Sequence, residues 1–294
     1  MLAAILAAAL VVAASSTDLR DLVAAVGGDR VRAESLTDPR QDPHARGIVP
    51  RQVALLKSAA LLVRVGLDHE PWLPRAVAAA GTTPRDVDVS RAVVVLEAGV
   101  PRLAPDARPH LHAYGNPHYW LDPENARPIT ARILEALADV RPEDRAVFEL
   151  NRARFLAGLD AGLARWRHTL APFAGARLVV VHDAWPYFAR RFDLAIAGAV
   201  EEKPGVPPSP AHLGRLIERM RASGARVIVA EPGASPAIVR RLADATGARI
   251  ATLAPSVGAE PAATDYIALF DLNVDRLARA LGGEAGTPVR VPRP

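Results

Sequence analysis

The sequence contains no cysteine. That excludes disulfides, thiolate metal ligands, cysteine nucleophiles and a lipid anchor on an N-terminal cysteine. A metal bound by this chain must rest on imidazoles and carboxylates. Aromatic residues make up only 5%. No apolar run is long enough to cross a bilayer: the opening MLAAILAAALVVAAS falls short of the about 20 residues that a membrane helix needs. Charge of one sign is not gathered either. The 36 Lys and Arg interleave with 32 Asp and Glu for a net charge of +4, which gives no footing for nucleic acid binding. Signatures of catalysis are missing too, with no nucleophile elbow, no Gly-rich phosphate loop and no HExxH pair.

At 294 residues, half of them hydrophobic and 23% charged, the chain is globular and fits two domains, each with its own core. Residues 1–15 read as a partial signal peptide or as a first strand: they are apolar and carry small residues suited to signal-peptidase cleavage, but lack a positive n-region. The segment VVAASSTDLRDLVAAVGGDRV reads as a strand and then a helix, opened by Ser16 or Thr17 and closed by Gly27 and Gly28. Further strands are expected at RVRAESL, ALLVRVG and residues 92–96, with a helix near residues 50–59. Residues 99–117, rich in Pro and His, read as an irregular loop.

Between residues 142 and 173, Val147, Leu150, Phe155, Leu159, Leu163, Trp166 and Leu170 recur mostly at three- and four-residue steps, which predicts one long helix. Alternation then restarts with RLVVVH, a helix over 184–191, RVIVAE, RIATLAP and a last helix over about 265–281. The pattern predicts an α/β chain of two parallel-sheet lobes joined by a long rigid helix, with an N-terminal lobe over 10–140, the linking helix over 141–173 and a C-terminal lobe over 174–294. No internal sequence repeat is evident.

Eight histidines are present. Three stand in similar settings: Asp42-Pro43-His44, Asn116-Pro117-His118 and Val181-His182-Asp183. His182 follows the apolar run 178–181, and ligands of open parallel sheets gather at the carboxyl ends of strands. His44 and His118 each follow a proline, which stiffens the backbone. Three imidazoles and one carboxylate would complete a tetrahedral zinc site. Any one of these histidines could equally be a partly exposed or capped residue, and the spacing alone does not separate the two readings.

The runs VGGDRV, QDPHARGIVPRQVALLKSAALLVRVGLDHEPWL, GNPHYWLDPENA, VVHDAWPYFARRF, PGVPPSPAHLGRLIERM, VIVAEP and TDYIALFDLNV together resemble the zinc- and manganese-binding solute-binding proteins of bacterial ABC transporters, over nearly the whole chain. The resemblance implies a metal site in the cleft between the lobes with His44, His118 and His182 as ligands. Histidine at the third position is similar to the zinc branch, since manganese members tend to carry Glu there. Asp265 is implied as the fourth ligand, with N-capping of the last helix as its structural alternative. Glu231 is the fallback, or supports an imidazole from behind, as Asp183 also could. His110 and His112 are expected to be exposed loop residues, and His69, where the family usually has an apolar residue, to lie on the lobe surface. His168 and His212 are expected to be structural, and Tyr119, Trp120, Trp185 and Phe188 to wall the site.

The function implied is capture of Zn2+ outside the cytoplasm, in the periplasm, and its delivery to an ABC transporter's membrane permease by a monomeric binding protein, with a metal chaperone as a further partner. No catalysis is expected. A manganese-binding member, a zinc hydrolase with Glu231 as base and a metal-binding adhesin are the rival readings. Binding needs neutral imidazoles, so acid is expected to release the metal.

Overall fold

The computed structural model describes residues 9–39, 48–97, 114–202 and 206–283. His44, His110 and His112 lie outside the described residues, as do residues 1–8.

In chain order the first half carries β1 (Leu10–Ala14), α1 (Thr17–Gly27), β2 (Val31–Ser35), α2 (Pro50–Ser58), β3 (Leu61–Arg64), α3 (Leu73–Ala80), β4 (Arg85–Asp88) and α4 (Ala126–Val140). The long helix α5 (Arg145–Leu170) follows. Then come β5 (Arg177–Val180), α6 (Pro186–Arg191), β6 (Ala195–Ala199), α7 (Pro210–Ser223), β7 (Val227–Ala230), α8 (Pro236–Thr246), β8 (Arg249–Thr252) and α9 (Tyr266–Gly282).

The strands form two four-stranded sheets, in the orders β2-β1-β3-β4 and β6-β5-β7-β8, and every pairing is parallel. The two orders are the same, so the halves share a topology that their sequences do not advertise. In each sheet the order reverses beside the first strand of the half, between β1 and β3 and between β5 and β7. Loops at the carboxyl ends of those strands are where open α/β sheets receive ligands.

Local chemistry explains the first βα unit. Val12, Ala13 and Ala14 of β1 are fully buried, as a central parallel strand covered on both faces requires. Ser16 then caps α1, its hydroxyl accepting from the Leu19 N–H at 3.1 Å, and Gly28 ends the helix at φ 54°, a conformation that glycine adopts without steric cost.

Two expectations about strands need correction. The run at 92–96 is not a strand: the strand is β4, Arg85–Asp88, followed by a helical turn over Val89–Ala92. Its sequence, RDVD, hides it, because it sits at the sheet edge, where charge is tolerated. Asp86 and Asp88 there pair with Arg64 of β3 at 2.8 and 3.1 Å. Val94, from the expected strand, is 75% exposed. The unforeseen strand is β6, AIAGA, whose small residues have little strand propensity. Its register with β5 shifts between Leu178 and Val179.

Helix α5 has 26 residues, so it spans about 39 Å at ~1.5 Å per residue. Its buried positions include Leu159, Leu163, Trp166 and Leu170, one stripe at three- and four-residue steps. It packs on α1 and α4 of the first half and on α9, where the Trp166 indole N–H donates to Asp271 Oδ1 at 2.7 Å. Among the described residues, no helix is long and apolar enough to cross a membrane.

Polar contacts also stitch the halves together. Arg191 of α6 grips the buried Asp122 with Nε and a terminal nitrogen at 2.6 and 2.8 Å, a two-pronged geometry that favours a planar guanidinium over lysine. Asp18, at the start of α1 and fully buried, accepts from the Val257 N–H at 2.9 Å, and Asp21 accepts from the Tyr266 N–H at 2.8 Å.

Burial pushes the Asp18 carboxyl up to about 7 despite its hydrogen bonds. A carboxyl raised on folding stabilises most below its unfolded value, and that contribution is lost as pH rises through the folded value. Replacing Asp18 by Asn keeps an acceptor for the Val257 N–H and removes the titration. The Asp18→Asn variant is therefore expected to lose the part of the stability decline that the parent shows between about pH 4 and pH 7. Urea midpoints of both proteins across that range check this, and parallel pH profiles would refute it.

Candidate metal centre at the lobe boundary

His118 opens the helical turn Tyr119–Leu121, and His182 stands two residues beyond β5 in the other half. The fold brings these residues, 64 positions apart in sequence, to a ring-centroid separation of 5.1 Å. Two imidazoles sharing one tetrahedral zinc at ~2.0–2.1 Å would hold their centroids about 5 Å apart. The observed spacing fits that arrangement.

Each ring is oriented from behind. The Nδ1 of His118 lies 3.0 Å from Asn116 Oδ1. The Asn116 amide has only one sensible orientation, because its Nδ2 donates to the Asp183 carbonyl at 2.9 Å and its Oδ1 accepts from the His118 N–H at 3.0 Å. An acceptor therefore faces Nδ1, which must carry the proton, and the ring's lone pair falls on Nε2. His182 repeats the scheme with a carboxylate: its Nδ1 lies 3.1 Å from Glu201 Oε2, which again places the lone pair on Nε2. Such supports behind a metal-binding imidazole fix its tautomer and raise its basicity.

Burial works against a charge on His182, but the Glu201 hydrogen bond and the charges of Glu231, Glu201 and Asp183 outweigh it, and the pKa is raised. Protons thus compete for this ring at higher pH than they would for a free imidazole. Glu231 follows β7, across the strand-order reversal from His182. Its Oε1 accepts from the Trp185 indole N–H at 2.7 Å, and burial raises its pKa. Asp183 is buried and meets Asn116 through its carbonyl.

Asp265 is exposed and caps α9, with Oδ1 accepting from the Ala268 N–H at 2.8 Å and Oδ2 3.2 Å from the Thr264 hydroxyl. The N-cap role is thus filled. Among the described residues, no three His, Asp or Glu side chains are grouped so as to hold a metal ion, and His44 is not among those residues.

The surface position expected of His69 is incorrect. Its side chain is buried, with 3% exposure, and its ring stands 5.7 Å from His118 and 5.2 Å from Trp120. The chain reverses just before it, where Gly66, Leu67 and Asp68 all take positive φ, and this turns the imidazole inward. Sequence reasoning also missed Asn116 and Glu201 as supports. Asn116 lay within a motif already singled out, whereas Glu201, 19 residues from its imidazole, left no local signal. The wall residues Tyr119, Trp120, Trp185 and Phe188 are all buried. The Trp120 indole N–H donates to the Pro255 carbonyl at 3.0 Å. His212 sits at the start of α7, with Nε2 2.9 Å from the Ala199 carbonyl.

The sequence model of the family described as zinc-uptake complex component A, periplasmic, matches residues 12–280. A high-affinity zinc uptake system protein of Brucella abortus (strain 2308) is 33% identical over 143 residues, which is 49% of this chain and 42% of that protein. The chain thus aligns with less than half the length of that relative. The corresponding protein of Paracoccus denitrificans (strain Pd 1222) is 28% identical over 305 residues, 90% of this chain and 89% of its own. A crystal structure of a ZnuA deletion mutant with zinc bound superposes with TM-score 0.79 at 26% identity, covering 95% of this chain and 100% of that one. A Mn2+ complex of the binding protein FpvC from Pseudomonas aeruginosa reaches 0.80 at 22% identity, covering 93% and 98%, a likeness of fold.

Removing the Asn116 amide leaves Nδ1 of His118 without its acceptor. The Asn116→Ala variant is expected to bind Zn2+ about 10–100-fold more weakly than the parent. Competition with a chelating dye measures this, and unchanged affinity would show that the amide only packs.

Proposed function

Taking as premise that the chain belongs to the zinc-uptake complex component A family, we propose that it captures Zn2+ in the periplasm and delivers it to the membrane permease of an ABC transporter. The ion is cargo, held by His44, His118 and His182. The observation that carries this reading is the His118–His182 pair across the lobe boundary, each ring supported at Nδ1. Three nitrogen donors favour Zn2+ over Mn2+, which prefers oxygen ligands. A fourth protein ligand closes the coordination sphere and leaves no open position for a reactive water, so the chemistry is capture and release without catalysis.

The carboxylate in that sphere is the weaker part of the expected ligand set. Asp265 spends both oxygens at the start of α9, whereas Glu231 stands near enough for its charge to act on His182. Delivery requires docking of both lobes on the permease. The chain acts as a monomer in this scheme, and a metal chaperone would load it.

Isothermal titration of the metal-free protein is expected to give one Zn2+ per chain, bound much more tightly than Mn2+, with His118→Ala abolishing high-affinity binding. Tighter binding of Mn2+ would move the protein to manganese transport, and no binding of either ion would end the proposal. In the same assay Asp265→Ala is expected to keep zinc affinity while losing about 0.5–2 kcal/mol of folding stability, the usual cost of removing an N-cap. A large loss of affinity would restore Asp265 as a ligand.

A further inference from the structure

Beside the pair at the lobe boundary stands a third buried imidazole, and its backbone is held in an unusual way. His69 follows β3 after three successive residues with positive φ: Gly66 at 79°, Leu67 at 55° and Asp68 at 58°. For Leu this region is sterically costly, and such strain persists only where surrounding structure enforces it, often at ligand clamps. The enforcement is visible. The Glu70 carboxylate accepts from the N–H groups of Val65 and Gly66 at 2.8 and 3.1 Å, and the His69 N–H closes the turn on the Gly66 carbonyl at 3.0 Å. A side chain at Gly66 is excluded, since a Cβ there would lie 2.5 Å from Asp88 Oδ1.

This turn delivers a metal-competent ring to a buried place, with 3% exposure. The His69 ring meets the edge of His118 at 5.7 Å and an interplanar angle of 82°, and Trp120 at 5.2 Å. The spacing to His118 is only slightly wider than the 5.1 Å between His118 and His182. His118 thus has two imidazoles close to it, His69 from the first half and His182 from the second. The strand-order reversal of the first sheet falls between β1 and β3, so the loop that carries His69 occupies the ligand-receiving end of that half.

We propose that His69 is a metal ligand of this chain, entering the coordination sphere of the ion held by His118 and His182 at the place first assigned to Asp265. The inference rests on the zinc-binding reading above and deepens it. No three described ligands already converge, so the ion draws His69 in by a small movement of its turn. The result is a sphere of imidazoles alone with no protein carboxylate, which sharpens preference for nitrogen-seeking Zn2+ over Mn2+.

The test uses the full chain with 15N-labelled histidine and long-range 1H–15N spectra recorded before and after one equivalent of Zn2+, assigned with His69→Phe, His118→Ala and His182→Ala. The expected result is that ring nitrogens of His69, His118 and His182 all move to metal-bound shifts. If those of His118 and His182 move while those of His69 stay, the imidazole only packs and this inference is overturned, with the zinc site intact. If neither His118 nor His182 responds, the zinc-binding reading itself fails. The His69→Phe variant, which keeps a ring against Trp120, is further expected to bind Zn2+ about tenfold more weakly and to narrow the gap between Zn2+ and Mn2+. Should it not fold, the spectra of the unmodified protein, assigned with the other two variants, still decide the matter.

Discussion

The hydrogen bonds of one buried amide organise the centre of this molecule. Asn116 receives the N–H and Nδ1 of His118 on its oxygen, gives its nitrogen to the carbonyl beside His182, and its own carbonyl accepts from the Tyr187 hydroxyl at 2.7 Å. An amide has a donor end and an acceptor end, so these partners fix its orientation without ambiguity. From that orientation follow the tautomer of His118, the direction of its lone pair and the attachment of residues 114–122 to the second half. A carboxylate in its place would set its second oxygen against the Asp183 carbonyl, and a smaller residue would leave the carbonyl without its donor.

The surrounding segment extends this attachment. Trp120 donates to the Pro255 carbonyl, the carbonyl of Trp120 accepts from the Tyr266 hydroxyl, and Asp122 is gripped by Arg191. Short, polar and directional contacts hold the halves here, while apolar packing along α5 holds them behind. Directional contacts fix geometry more sharply than they add stability. On the proposed metal site, a pair of imidazoles across the boundary needs such definition, because metal–nitrogen distances tolerate only small errors.

Much of this was readable from the chain. The long helix declared itself through its apolar steps from Leu159 to Leu170, and the first βα unit through Ser16 and the Gly27-Gly28 pair. The family resemblance singled out His44, His118 and His182 from eight histidines, which spacing alone could not do, and the structure brings the last two within 5.1 Å of each other, centroid to centroid. What escaped notice did so for physical reasons. RDVD and AIAGA look nothing like strands, because one is an edge whose charges find Arg64 and the other gains its place from neighbours. His69 appeared to belong on the surface, because nothing local reveals that Leu67 and Asp68 adopt left-handed conformations. Asp265 carried two compatible meanings, ligand and cap, and only coordinates showed both its oxygens at the helix start. Glu201 meets His182 through sheet topology, which no motif encodes.

The repeated strand order means that the chain is built from two topological copies of one α/β half, yet the copies do not contribute equally to the ion. On the ligand sets proposed above, His182 comes from the second copy and the other imidazoles from the first. An ion shared unevenly between two bodies travels with the richer one when they separate. In the all-imidazole sphere proposed above, the second half contributes a single nitrogen and is the side that lets go, and displacement of His182 alone would begin unloading.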